Sequence, residues 1–335
     1  MTSQAEPVPT PLPGVPSIES PFFDRIFGPE SCDEVTLEIA RTLRDDGFAV
    51  LDFPEPKLEE MADRIISSLD SRYRDPVRLQ DAWRFDRDVR ALAINQEIMT
   101  LLATLYGRRA IPFQTLNFRR GTQQGFHSDS LHFSAVPERF MAGVWVALED
   151  MDEDNGPLLY YPGSHRLPIF TNEHLGLTAP PPDKPLARYQ AYESLWQELV
   201  ALHGLKPKTF TAKKGQALIW SANLLHGGAP QKDPSRSRHS QVTHYYFEDC
   251  CYYTPLASDV IAGRVYFRDI VNIATGELEP NSYGGEAVPK DVVAAARNRS
   301  YDQEPQLSRR LFNKVRNRFR RLKVLSRQAQ VARKL

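Results

Sequence analysis

Cysteine is scarce in this 335-residue chain: Cys32 and the neighbouring pair Cys250 and Cys251 are the only three. That is too few for a disulfide framework, and adjacent cysteines rarely bridge. Nor do they supply the thiolates of a structural zinc site or an iron–sulfur cluster. Free thiols in a reducing cytoplasm are expected. Long apolar runs are missing too; none reaches the roughly 18 residues of a membrane-spanning helix. The N-terminus lacks a basic stretch followed by an apolar one, so no signal peptide is expected. Instead Pro7, Pro9, Pro11, Pro13 and Pro16 make residues 1–21 an extended, flexible arm. No repeat of solenoid or propeller period is present.

Net charge is also absent, but the zero hides a segregation. Residues 305–335 hold eleven Lys/Arg and no Asp/Glu, while the rest of the chain holds 31 basic against 42 acidic residues. Leu311, Val315, Phe319, Leu322 and Leu325 recur at three- or four-residue steps among those cations. This is the pattern of a basic amphipathic helix that lies on an anionic surface. Peripheral contact with the inner face of a membrane through residues 309–335 is one expectation. Docking against the acidic body or a partner subunit is the other. Without an aromatic–basic stacking platform, no nucleic-acid partner is expected.

What is present is a helical first third followed by many short strands. The apolar spacing predicts helices over 32–45 (with Ser31 as N-cap), 58–69 and 98–106, and a strand over 48–53. Strands are then expected over 111–119, 126–133, 140–148, 158–161, 208–212, 216–221 and 239–247, separated by Gly, Pro and Asp turns. The expected architecture is mainly β with flanking helices, a jelly-roll sandwich or barrel. Residues 167–204 interrupt the strand series and read as a lid-like insertion with a helix over 188–203. The domain then spans 22–285, and 286–335 form a helical basic extension.

The candidate chemistry centres on Phe126-His127-Ser128-Asp129. On a strand, residues two apart share a face, so His127 and Asp129 can reach one metal ion together. His226, in Leu225-His226-Gly227-Gly228, is the best candidate for a third ligand. Two imidazoles and a carboxylate form the face that holds non-haem Fe(II) and leaves positions open.

Further motifs follow in order. Trp145 lies eighteen residues after His127, in Val144-Trp145-Val146-Ala147-Leu148-Glu149. Asn155-Gly156-Pro157-Leu158 and Pro162-Gly163-Ser164-His165 come next. His226-Gly227-Gly228 is followed by Arg238 and, six residues on, by His244-Tyr245. Together these motifs resemble the phytanoyl-CoA dioxygenase family of Fe(II)- and 2-oxoglutarate-dependent oxygenases, over roughly residues 32–250.

The resemblance implies a double-stranded β-helix (cupin-like) core. It makes His127, Asp129 and His226 the iron ligands, with 2-oxoglutarate as chelating cosubstrate and O2 as oxidant. Arg238 would pair with the far carboxylate of 2-oxoglutarate; Arg236 is the competing register, and the spacing to His244 favours Arg238. Trp145 would wall the cosubstrate pocket, and Gln114 and Asn117 would hydrogen-bond cosubstrate or substrate. His132, Tyr189 and Tyr192 would face the substrate, while His165 is expected to be structural. Gly228 departs from the family, which often has a hydroxyl residue there. The implied activity is hydroxylation of an unactivated C–H bond in a small-molecule, lipid or glycan-linked substrate, with release of succinate and CO2. Desaturation and ring closure would use the same site. A non-oxygenase jelly-roll metal enzyme and a non-catalytic membrane-recruited scaffold are the rival readings.

Overall fold

The computed structural model describes residues 10–28, 31–73, 78–181 and 184–299. The basic amphipathic segment expected over 309–335 lies outside them. Near the start, Ile18 is fully buried, and Phe23 and Ile26 of helix α1 (Phe23–Ile26) join the same core. The arm expected to be free over residues 1–21 therefore reaches the core by Ile18. Helix α2 (Glu34–Asp46) is capped by Asp33, not Ser31: the Asp33 carboxylate accepts the Thr36 N–H at 2.8 Å. Gly47, at φ +85°, ends the helix in the left-handed conformation that only glycine adopts cheaply.

The chain continues through β1 (Phe48–Asp52), α3 (Leu58–Leu69), β2 (Arg78–Gln80), α4 (Arg87–Ala93) and α5 (Gln96–Tyr106). Sequence patterning missed β2 and α4, one too short and the other too polar to show a period. Then come β3 (Ala110–Phe118), β4 (Ser134–Val136), β5 (Met141–Ala147), β6 (Leu158–Tyr160), α6 (Tyr189–Leu202), β7 (Lys208–Phe210), β8 (Gln216–Ser221), β9 (His226–Gly228), β10 (Ser240–Phe247), β11 (Cys251–Tyr253) and α7 (Lys290–Arg297).

Six strands form one antiparallel sheet in the order β1-β8-β5-β10-β3-β2, and β7-β6-β9 form a smaller one facing it. This is the double-stranded β-helix. On the outer face, helices α2, α3 and α5 cover Val144, Val146, Ile219 and Tyr245 with Leu43, Ile65 and Leu102. Between the sheets, Trp145, Leu158, Phe210, Leu218 and Val242 form a second core. The insertion packs Tyr192 and Trp196 of α6 onto Leu131, Tyr161 and Leu225.

The Pro162-Gly163-Ser164-His165 turn is a helix-end clamp. Gly163 N–H donates to Asp46 O at 2.9 Å, and His165 Nε2 lies 3.1 Å from Arg44 O, satisfying carbonyls that the end of α2 leaves free. Burial, reinforced by Arg166 and Arg139, pushes the His165 pKa down to about 4, despite the Arg44 carbonyl and Asp46 acting the other way. An unfolded histidine protonates near pH 6.5. Below that value the unfolded chain binds a proton that the folded chain refuses. This contribution to stability is complete above about pH 6.5 and falls by up to about 1.4 kcal/mol per pH unit toward pH 4. Urea midpoints measured from pH 7 to pH 5 should therefore drop less in His165→Gln than in the parent protein. Parallel profiles would refute the assignment.

Candidate metal centre and its cavity

The cross-strand register sets out the inner face of the large sheet. Trp220, Gly143, His244 and Gln114 form one row across β8, β5, β10 and β3. Leu218, Trp145, Val242, Leu116 and Gln80 form the next. Both rows border a cavity of about 440 Å³ that also receives His127, Asp129, His226 and Arg238.

His127 and Asp129 do not share a strand, as the sequence predicted over 126–133. His127 forms an isolated bridge with His226, and Asp129 opens a 3-10 turn, Asp129–Leu131, behind Ser128. The bridge joins the two histidines through their own peptides: His127 N–H donates to His226 O at 2.9 Å, and His226 N–H to His127 O at 3.0 Å. Each imidazole is then oriented by a local carbonyl. His127 Nδ1 lies 3.2 Å from Gly125 O, and His226 Nδ1 lies 2.9 Å from Leu224 O. With Nδ1 donating to a carbonyl, each Nε2 keeps its lone pair for a metal.

The two Nε2 atoms lie 3.8 and 3.7 Å from the Asp129 carboxylate oxygens, and the three donors fall within 4.8 Å of one another. Among the described residues no other group of three such side chains is placed to hold a metal. Burial opposes the charge on Asp129, yet His226, His244, His127 and the Trp220 N–H together hold its pKa at about 2. Burial and the His226 imidazole lower the pKa of His127 to about 3, so its neutral, ligating form prevails. Two imidazoles and an ionised carboxylate, with no thiolate, suit Fe(II).

Trp220 is the support that sequence reading missed. Its Nε1–H donates to Asp129 Oδ2 at 2.9 Å. It can do so because residue 143 is glycine: a Cβ there would lie 2.1 Å from the Trp220 ring. Gly143→Ala is expected to cost about 1–3 kcal/mol by overpacking and to draw the indole away from Asp129. A lowered melting temperature with weakened Fe(II) affinity would show it; an unchanged affinity would not fit.

His244, expected only to pack, stands 3.7 Å from Asp129 Oδ2 through Nε2, while its Nδ1 meets Gln114 Oε1 at 3.0 Å. Gln114 thus lines the cavity. Asn117, three residues on, points to the opposite face of β3 and donates to Gln241 Oε1 at 3.2 Å. Its expected cosubstrate contact is ruled out by the two-residue period of the strand.

At the other end of the cavity Arg238 is 2% exposed. Its Nε donates to Gly156 O at 2.9 Å and its Nη1 to Ser240 Oγ at 3.1 Å. Its guanidinium lies 5.6 Å from the Trp145 ring and 5.8 Å from that of Phe118. It forms no ion pair among the described residues. Burial lowers its pKa to about 10, with Glu149 offsetting part of that, so the group stays charged at neutral pH. Arg236 instead forms a surface ion pair with Asp152 at 2.7 Å. Trp145 lines the cavity, and its Nε1–H has no partner among the described residues. A charged fork without a carboxylate, between aromatic walls, suits the far end of 2-oxoglutarate. The place of a side chain at Gly228 is taken from across the loop: a Cβ there would lie 2.8 Å from Thr122 Oγ1. Thr122 therefore supplies a hydroxyl at the position where Gly228 has none.

His132 and Tyr189 line the cavity with ring centroids 5.5 Å apart, which brings the insertion into its wall. Tyr192 does not reach it. That side chain is fully buried under α6, and its hydroxyl donates to Asn172 Oδ1 at 3.0 Å.

A jelly roll with this donor set belongs to the class of enzymes that depend on iron and 2-oxoglutarate. The sequence model of phytanoyl-CoA dioxygenase (PhyH) matches residues 24–240, and the chain belongs to that family. Among solved structures, the non-heme alpha ketoglutarate dependent carbocyclase SnoK from nogalamycin biosynthesis is 16% identical over 67% of this chain and 87% of its own, with a TM-score of 0.53. The epimerase SnoN from the same biosynthesis is 17% identical over 65% of this chain and 85% of its own, with a TM-score of 0.49. EctD from S. alaskensis with 2-oxoglutarate and 5-hydroxyectoine is 18% identical over 64% of this chain and 77% of its own, with a TM-score of 0.47. SnoK shares the fold; at these identities nothing about substrate carries over. No curated protein sequence matches the chain. No helix among the described residues is long and apolar enough to cross a membrane.

Proposed function

We propose that this oxygenase-type enzyme hydroxylates an unactivated C–H bond of a small-molecule substrate. In this reading His127, Asp129 and His226 hold Fe(II), and Arg238 anchors the far carboxylate of 2-oxoglutarate. When bound, iron with 2-oxoglutarate and O2 supplies the oxidising power for C–H chemistry, with succinate and CO2 as coproducts. The chain's own residues hold and shield. Trp220 fixes the carboxylate of Asp129, the Gly125 and Leu224 carbonyls fix the imidazoles, and Tyr189 with the 167–204 insertion closes the substrate side against water. The carboxylate of Asp129 fills a third protein position, which favours hydroxylation over halide transfer. The observation that supports this most is one cavity lined both by the metal trio and by a buried Arg238 that forms no ion pair among the described residues.

Anaerobic titration with Fe(II) and then 2-oxoglutarate tests it through the visible charge-transfer band of the chelate. The band should form and saturate. Iron binding without a band would favour a jelly-roll metal enzyme that does no oxygen chemistry; binding of neither would favour a scaffold. A lipid or glycan-linked substrate met at a membrane through residues 309–335 remains part of the proposal, testable by vesicle binding with and without that segment.

A further inference from the structure

Beyond the metal trio and Arg238, the cavity holds two more cations from parts of the chain that carry no motif. Arg78 lies on the edge strand β2, opposite Phe118, and so faces the cavity with Gln80. Arg268 comes from the segment after β11, outside residues 24–240 that match the family. Arg268 Nη1 lies 3.5 Å from His132 O, and both arginines act electrostatically on His132.

Arg268 is held ready. Its guanidinium sits 4.8 Å from the Phe133 ring, and its Nη1 donates to Thr254 Oγ1 at 3.1 Å. Its Nε is buried without a hydrogen-bond partner among the described residues. Neither Arg78 nor Arg268 forms an ion pair among the described residues, and the Arg78 side chain forms no hydrogen bond there either. Among the described residues, Asp129 is the only acidic side chain lining the cavity. With iron and 2-oxoglutarate in place, the charges of the metal and the cosubstrate cancel, and Asp129 offsets Arg238. Arg78 and Arg268 are left without a counter-charge lining the cavity among the described residues, and a cavity of one sign draws ligands of the other.

We propose that Arg78 and Arg268 form an oxyanion clamp, so that the substrate carries a carboxylate or phosphate ester held beside His132, Gln80 and Thr254. This rests on the iron and 2-oxoglutarate reading, since the cosubstrate is what occupies Arg238. The clamp makes the substrate acidic and sets its orientation, with the anionic end toward Arg78 and Arg268 and the remainder reaching toward the metal trio. The residues that choose the substrate then lie apart from those that hold the metal.

The test uses octanoate, octyl phosphate and the neutral octanamide as probes. Each is titrated under anaerobic conditions into protein loaded with Fe(II) and 2-oxoglutarate, and separately into metal-free protein. Melting temperature and the visible band are followed. At least one anion should bind at least about ten-fold more tightly than octanamide, and the tighter anion identifies the oxyanion. Arg78→Gln and Arg268→Gln should each lose about ten-fold or more of that affinity while the 2-oxoglutarate titration stays unchanged. Arg268→Lys, which keeps the charge without the fork, should fall between. Octanamide binding as tightly as the anions, no anion binding, or anion affinity unaffected by both glutamine variants would each overturn the clamp. Arginine-dependent anion binding by metal-free protein that forms no band would uphold the clamp and overturn the iron reading instead.

Discussion

Asp129→Ala is expected to lower 2-oxoglutarate-dependent succinate formation by about three orders of magnitude or more, the several kcal/mol that a properly held metal contributes. The fold should survive. The carboxylate is buried, so its loss relieves a desolvation cost while leaving the Trp220 N–H without its acceptor, and these two effects oppose each other. The melting temperature of the metal-free protein should therefore move little, and the anaerobic visible band should disappear. His127→Ala and His226→Ala are expected to behave alike. Parent-like succinate release in any of the three would remove that residue from the metal set.

Arg238→Met should raise the Kd for 2-oxoglutarate by roughly 30- to 1000-fold, corresponding to about 2–4 kcal/mol for removing one partner of a buried charged pair. Stability should respond in the other direction or hardly at all. Burial alone pushes the pKa of this guanidinium down to about 10, and no carboxylate on the chain pairs with it among the described residues. Methionine fills similar space without that charge, so the gain offsets the lost bond to Gly156 O to within about 1 kcal/mol. Isothermal titration and urea unfolding of the same variant separate the two effects. Arg236→Ala, which breaks a surface ion pair with Asp152, serves as the register control and should leave the 2-oxoglutarate Kd within about two-fold. The reverse ranking would place the cosubstrate anchor at Arg236.

The strands and most helices were legible because their apolar periods are regular: α3 runs over the expected Leu58–Leu69 and β8 over Gln216–Ser221. The motifs that resemble the phytanoyl-CoA dioxygenase family singled out His127, Asp129, His226 and Arg238, and these four line one cavity. Local geometry was less legible. Ser128 turns the chain so that Asp129 leaves the extended path, which an alternation pattern cannot register. Asn117 and Gln114 were taken together although an odd separation puts them on opposite faces of β3. Tyr192 was grouped with Tyr189, but one turn of helix carried it into the packing beneath α6. Trp220, Thr122 and His244 gain their places through pairing across the sheet or the facing loop. Arg78 and Arg268 sit in segments without a period, so no sequence signal could bring them to the cavity.

The paired peptides of His127 and His226 bear on how the protein handles its metal economy. The distance between two ligands is written into the backbone, so capturing an ion does not require a loop to be ordered first. Iron then adds to stability by mass action alone, about 2.7 kcal/mol when free metal is a hundred times its Kd. The cooperativity of unfolding, read as the urea slope, should be the same for metal-free and loaded protein. A chelator would lower the midpoint of a domain that stays folded, unlike small zinc domains whose folding and metal capture are one event. Such a protein can wait for iron, lose it and take it up again without passing through an unfolded chain.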